Sequence, residues 1–469
     1  PVVIPIEPVP DVWEALQAVK SLHSVIVLES ALQREGVGRY SFLTADPVEV
    51  IEHPTVAYGT DPFAELRLAS ASFRVESHAN LPPFQGGTAG LLSYELGAAW
   101  ERLPRPSVDE FQIPWLSAGI YDWVLAWDHV QGAAWLVCQG YPETEPSRRL
   151  AAAELRAEQI LTLLRKSDVG GTGLGESAPI RQSVSPGIPQ FAAPGLPGLT
   201  SNFSYEGYLQ AISRVIEYIR AGDIFQANLS QRLLLPQPAD ALELYRRLRS
   251  RNPAPFAGYY ARDDWALVSA SPERFVRVEG GEVETRPIKG TRGRAAGPEA
   301  DLFSRDALRE SAKDQAENVM IVDLLRNDLS RVCQYGTVRV PQLCRVETYA
   351  TVQHLVSEIR GLLAAGCDFW DLLAATFPGG SITGAPKIRA MEIIAELESV
   401  CRGPYCGCLF YDSFDGHADS SILIRTLTVR HGWVQCSVGG GIVAQSNPED
   451  EYQETLTKAQ GMLRALQSS

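Results

Sequence analysis

SILIRTLTVRHGWVQCSVGGGIVAQSNPEDEYQETLTKAQGMLRAL, residues 421–466, holds two strand-like runs, a glycine triplet and a helix in succession. Ser421–Val429 and Gly432–Val438 are rich in apolar and β-branched residues, as strands are. Asn447-Pro448 reads as an N-cap and an N1 proline, opening a helix that runs to about Leu466. Working outward, Tyr205, Tyr208, Leu209, Ile212, Val215, Ile216 and Ile219 recur at helical spacing, and Gly222 can end that helix. Further strands are predicted at Asn228–Leu235, Ala266–Ala270, Phe275–Val278, Val283–Ile288 and Cys408–Tyr411. Further helices are predicted around Asp306–Leu325, Phe369–Ala375 and Lys387–Leu397. Strands interrupted by helices, without strict βαβ alternation, predict an α+β fold.

Three regions emerge. Residues 1–165 are mixed, with strand-like runs at Ser24–Leu28 and Ala133–Cys138 and a helical run at Leu150–Leu164. Residues 166–200 are dominated by Gly, Ser and Pro and read as a flexible linker. Residues 201–469 carry the sharper periodicity. The chain of 469 residues is 45% hydrophobic and 21% charged, as soluble globular proteins are. Its net charge of −14 argues against nonspecific binding to nucleic acid or anionic membranes. The eight cysteines form no CxxC pair, which points to a reduced cytoplasmic setting. No apolar run has membrane-spanning length, and Pro1–Pro10 lacks the pattern of a secretory signal.

Two carboxylate pairs lie at i,i+3 spacing on predicted helices: Asp314 with Glu317, and Glu451 with Glu454. Brought together they would make a hard oxygen site suited to Mg²⁺. Each pair alone is equally an ordinary helix surface, with Glu454 and Lys458 an i,i+4 ion pair. Gly439-Gly440-Gly441 reads either as a tight bend or as a backbone cradle for an anion. Pro378–Lys387 is a second glycine turn, opening a helix. Arg425 stands in an otherwise apolar strand, and either an ion pair or a substrate carboxylate would explain it.

Together the motifs GDIFQANLSQR (222–232), SASPERF (269–275), RPIKGTRGR (286–294), ENVMIVDLLRNDLSRV (317–332), HLVSEI (354–359), FPGGSITGAPKIRAME (377–392), RGPYCG (402–407) and GGGIVAQSNPEDEYQETLTKA (439–459) resemble the chorismate-binding family. That family includes the large subunits of anthranilate synthase and aminodeoxychorismate synthase. The resemblance spans about residues 205–465 and implies two large, mainly antiparallel sheets packed across each other as a sandwich, with helices outside. It further implies Mg²⁺ held by Glu317 and Glu454, with Asp314 and Glu451 in support. Arg425, Tyr405 and the backbone of Gly439–Gly441 resemble contacts to the enolpyruvyl carboxylate of chorismate. Ser381 and His354 resemble residues lining its ring, and Gln226, Thr291 and Lys458 fall among the implied substrate contacts. VLES (27–30) and GRYSF (38–42) are similar to a tryptophan-binding element, which would place Glu29, Ser30, Arg39 and Tyr40 around a bound tryptophan.

Three positions discriminate within the family. Gln226 replaces the lysine base of the water-adding members, and an amide cannot deprotonate water, so ammonia is the expected nucleophile. Lys289, in PIKGT, resembles the proposed lysine nucleophile of aminodeoxychorismate synthases, where anthranilate synthases typically carry alanine. Glu273, in SPERF, resembles the acid that protonates the departing C4 hydroxyl. These imply amination of chorismate to 4-amino-4-deoxychorismate, for 4-aminobenzoate and folate synthesis, with anthranilate formation as the alternative. No GxCxG-type elbow is present, so a separate glutamine amidotransferase subunit is the expected ammonia source.

Overall fold

Among the described residues, the strands assemble into two antiparallel sheets, of 13 and 10 strands. The computed structural model describes residues 1–33, 36–73, 75, 78, 80–167, 188–294, 297–348 and 352–467. In the larger sheet the order runs from Val2–Pro5 through Ala133–Cys138, Trp123–Asp128, Tyr40–Thr44 and Ile26–Glu29 to Phe256–Ala261. It continues through Trp265–Ser271, Thr426–Arg430 and Trp433–Ile442 to Gln226–Pro236. The smaller sheet likewise joins Gly87–Leu92 to Cys408–Ser413. Strands from both sides of the 166–200 stretch therefore build both sheets.

The two sheets face each other across a shared apolar core. Ile26, Phe42, Tyr260 and Leu267 of one meet Ala89, Leu91, Leu409 and Tyr411 of the other. Helices lie outside. Val12–Val19, Pro146–Ser167, Ala241–Arg251 and Pro448–Leu466 cover the larger sheet. Ala312–Ser330 and Phe369–Thr376 cover the smaller one. The sandwich implied by the motifs is the fold. No helix among the described residues is long and apolar enough to cross a membrane.

Four local expectations are corrected. Ser421–Val429 is two strands in different sheets, Ala418–Ile422 and Thr426–Arg430. Arg425 adopts a left-handed backbone (φ 54°) between them, and this turns the chain from one sheet to the other. Asp306–Leu325 is two helices, Pro298–Glu310 and Ala312–Ser330. They divide at Ser311, whose side chain accepts from the Asp314 N–H and caps the second. Val283–Ile288 ends at Thr285, before Pro287, and a new strand begins at Ile288. Finally, the 166–200 stretch is not all linker. Residues 168–187 lie outside the described residues, but Phe191–Ala192 and Thr200–Ser201 are short strands edging the larger sheet.

Candidate active site

The chain crosses between the sheets at Ser271–Arg274 and again at Ile422–Thr426. Ser271 Oγ donates to the Ile422 carbonyl (2.5 Å), and the Ile422 N–H donates to the Glu273 carbonyl (3.1 Å). These bonds set Glu273 and Arg425 side by side where the sheets meet. Glu273 is 5% exposed. Burial pushes its carboxyl up to about 7, against the opposing pull of the Ser381 side chain, the Lys289 charge, the Ile288 N–H and Arg425. The group is thus poised between acid and carboxylate near neutral pH.

Lys289 stands on the strand Ile288–Gly293, opposite Leu355. Its Nζ donates to the Ser381 carbonyl at 3.0 Å. Burial lowers its pKa, the charges of Glu317 and Glu273 oppose this, and the nearby Lys458 charge reinforces it. On the same strand, Arg292 pairs with Asp314 at 2.9 Å. His354 is buried on the neighbouring strand, in register with Thr291. The Thr291 side chain lies outside the described residues.

The facing wall is the strand pair Gln226–Pro236 and Trp433–Ile442. Gly439, Gly440 and Gly441 lie within the second strand, in register with Ser230, Leu229 and Asn228, so the triplet is a paired strand and not a tight bend. The glycines are there for room: a Cβ on Gly441 would stand 2.4 Å from Gln226 Nε2. Gln226 is fully buried, and neither Nε2 nor Oε1 has a hydrogen-bond partner among the described residues. An unsatisfied buried amide costs about 1–3 kcal/mol. Tyr405 is buried nearby in the RGPYCG loop, and burial pushes its phenol far up, keeping it a neutral donor.

The two carboxylate helices approach each other here. Lys313 Nζ lies 4.0 Å from Glu317 and 3.8 Å from Glu451, while Lys458 Nζ holds Glu454 at 2.8 Å and the Gly439 carbonyl at 2.9 Å. Burial raises the carboxyls of Glu317 and Glu451. Burial also acts on Glu454, but Lys458 prevails and holds it below the usual range. Among the described residues no three acidic, His or Cys groups converge at ligand distance. The donor chemistry nevertheless suits Mg²⁺, being all carboxylate. Gly440 also leaves a cradle: a Cβ there would stand 3.2 Å from Glu451 Oε2 and 3.8 Å from Glu454 Oε1.

A family model for chorismate binding enzymes matches residues 25–464. The chain belongs to the chorismate-binding enzymes. Its similarity divides almost evenly between two activities. It is 41% identical over 406 residues to aminodeoxychorismate synthase component 1 of Klebsiella aerogenes, covering 86% of this chain and 82% of that one. It is 42% identical over 393 residues to anthranilate synthase component 1 of Thermus thermophilus, covering 84% and 80%. The crystal structure of anthranilate synthase component I from Streptococcus pneumoniae superposes with a TM-score of 0.74 at 30% identity, covering 91% of this chain and 92% of that one. The chain is therefore a chorismate-utilising enzyme.

Within this chorismate-binding enzyme, Glu29, Ser30, Arg39 and Tyr40 line a separate cavity. Glu29 is buried and held by Arg249 (Nε 3.0 Å) and by the Tyr245 hydroxyl. Arg39 pairs with Asp128 (2.7 Å) and covers the Tyr40 ring at 4.8 Å. The Ser30 hydroxyl donates to the Tyr40 carbonyl at 2.6 Å. Sequence reading missed Glu95, Lys313, Glu398 and Arg402. The i,i+4 spacing of Glu398 and Arg402, running into RGPYCG, was the available signal for that pair.

Proposed function

We propose that the enzyme aminates chorismate with ammonia to give 4-amino-4-deoxychorismate, through a covalent bond to Lys289. The observation carrying this reading is Lys289 itself, with its ammonium pKa lowered by burial, in the same seam as the acid Glu273. The neutral Lys289 amine attacks C2, the ring double bonds shift, and the C4–O bond breaks. Glu273 gives its proton to the departing hydroxyl, which leaves as water. Ammonia then forms the C4–N bond, the double bonds shift back, and the C2–N bond to Lys289 breaks. The surplus proton on the new amine returns to Glu273. The sum is chorismate plus ammonia giving aminodeoxychorismate plus water.

Glu317 and Glu454 would hold Mg²⁺, with Glu451 and Asp314 beside them, and the ion would supply charge for the ring carboxylate. Arg425, Tyr405 and the strand backbone at Gly439–Gly441 would take the enolpyruvyl carboxylate. Ser381 and His354 would line the ring, Thr291 would be a further substrate contact, and the orphan amide of Gln226 would bond the bound ring or the incoming ammonia. Lys458 would hold the Gly439 carbonyl and Glu454 in place. Ammonia would come from a separate glutamine amidotransferase subunit, a reading supported by the relatives' designation as component 1. Turnover by the purified chain with glutamine alone would refute it. The near-equal similarity to an anthranilate synthase supports the second reading, chorismate to anthranilate and pyruvate.

Substrate trapping followed by intact-protein mass spectrometry tests the covalent step. An adduct is expected on the wild type and none on Lys289→Ala; an undiminished adduct on the variant removes Lys289 as nucleophile. The cavity at Glu29–Tyr40 would hold tryptophan, as inhibitor or structural ligand. Ser30→Phe should then weaken tryptophan binding at least tenfold by calorimetry, and unchanged affinity would count against that pocket.

A further inference from the structure

Arg402 and Glu398 form an ion pair sealed from solvent, with side chains 3% and 4% exposed. A buried pair of this kind contributes little net stability, because desolvation offsets the attraction, so its use lies in what it holds in register. Arg402 Nε and Nη2 donate to the two Glu398 oxygens at 2.8 and 2.7 Å. The remaining reach of the guanidinium goes to backbone. Nη1 donates to the Ile382 carbonyl at 3.1 Å, and Nη2 to the Asn228 carbonyl at 2.6 Å. Glu398 in turn accepts from the Ser230 N–H (2.7 Å) and the Ser230 hydroxyl (2.9 Å). Glu95, from the N-terminal half of the chain, fixes the base of the same loop through the Arg402 and Gly403 N–H groups at 2.7 and 2.9 Å.

Each of these anchor points adjoins a group of the active site. Ile382 follows Ser381, whose carbonyl receives Lys289 Nζ. Asn228 and Ser230 are the register partners of Gly441 and Gly439. Tyr405 lies three residues beyond Arg402, and its N–H donates to the Arg402 carbonyl at 3.3 Å. The guanidinium also lies over the Tyr94 ring, 4.6 Å from its centre. A planar fork can serve a carboxylate and two carbonyls at once, whereas an ammonium is a single point that cannot.

We propose that Arg402, clamped by Glu398, is a positioning residue: it sets the Ser381–Ile382 turn and the Asn228–Ser230 strand segment, so that Lys289 and the glycine strand face one another correctly. The inference rests on reading this seam as the site of chorismate turnover, but not on which product forms.

The test compares wild type, Arg402→Lys and Glu398→Gln. Total chorismate consumption with Mg²⁺ and ammonium is followed in each, alongside hydrogen exchange of the 379–383 and 228–230 amides and the thermal midpoint. For Arg402→Lys we expect kcat to fall about 100-fold, KM for chorismate to stay within threefold, and exchange at 379–383 and 228–230 to quicken at least tenfold while the rest of the chain is unchanged. Glu398→Gln keeps the shape and one acceptor, and should lose about tenfold. The proposal is overturned if 379–383 exchange is unchanged, or if activity falls only in proportion to the folded fraction. A wild type that consumes no chorismate would sink the functional reading instead, and the exchange result would still decide the positioning role.

Discussion

The seam around Lys289 and the cavity around Glu29 both hold buried ionisable groups, arranged to opposite ends. In the cavity each charge meets a fitted partner. Arg249 is desolvated, yet Glu29 drives its pKa up, and Asp128 is held low by Arg39 despite burial. Arg274, which also lines that cavity, is locked to Asp419 and Glu284 at 2.9 and 2.8 Å. In the seam burial prevails at four groups, with Glu273, Glu317 and Glu451 pushed up and Lys289 pushed down, while Glu454 is held low by Lys458. Glu273, pushed up to about 7, can exchange a proton at working pH, while groups kept charged hold structure or bind. Glu273 and Arg274 are consecutive residues, and one serves each purpose.

Lys289→Ala strikes the seam hardest. It should reduce aminodeoxychorismate formation at least 1,000-fold, read by chromatography with mass spectrometry, in line with losing a covalent route. Glu273→Gln should cost about 100- to 10,000-fold in kcat, as loss of a general acid does. The wild-type kcat/KM profile should carry a limb that falls as pH rises through about 7, absent from the variant.

Glu273→Gln also has a stability signature. Well below 4.5, its ordinary value, the carboxyl is protonated whether folded or not and contributes no pH dependence. Between 4.5 and about 7 only the unfolded chain ionises, so wild-type stability falls with rising pH. The variant should therefore match the wild type near pH 4.5 and exceed it by roughly 3 kcal/mol at pH 8, measured by urea unfolding. A variant less stable at pH 8 than at pH 5, relative to wild type, would break the contrast between the two regions.

In the cavity the expectation reverses. Arg249→Met strips a buried carboxylate of its cation and should destabilise the fold by about 3 kcal/mol, while kcat of the folded enzyme is retained. The smallest expected effect is at the helix Pro448–Leu466, which presents Glu451 and Glu454. Asn447 accepts from the Glu449 and Asp450 N–H groups, at 2.9 and 3.2 Å. Asn447→Ala should cost about 1 kcal/mol by urea unfolding.

Most of this architecture was legible from residue type and spacing. The capped helix after Asn447 was readable because capping is local chemistry. Glu273, Lys289, Ser381 and Arg425 were brought together on the strength of motifs, and they meet in one seam. The failures share a cause. Ser421–Val429 looks like one strand because left-handed backbone at Arg425 leaves no mark in an apolar run, and changing sheets is a tertiary event. A bend was one reading of Gly439–Gly441 because what crowds Gly441, the Gln226 side chain, and Gly439, the Leu229 carbonyl, lies on a strand more than 200 residues away. Arg402 stood in plain view in RGPYCG, but its role comes from carbonyls at 228 and 382, which spacing cannot reveal.

Product identification is the most direct test. Purified enzyme is given chorismate, Mg²⁺ and an ammonium salt at alkaline pH, and the products are separated and weighed by mass spectrometry. Aminodeoxychorismate, passing to 4-aminobenzoate only when a lyase is added, is the predicted outcome. Anthranilate with pyruvate would contradict the account, placing the chain with the anthranilate synthases and leaving Lys289 without a part in choosing the product.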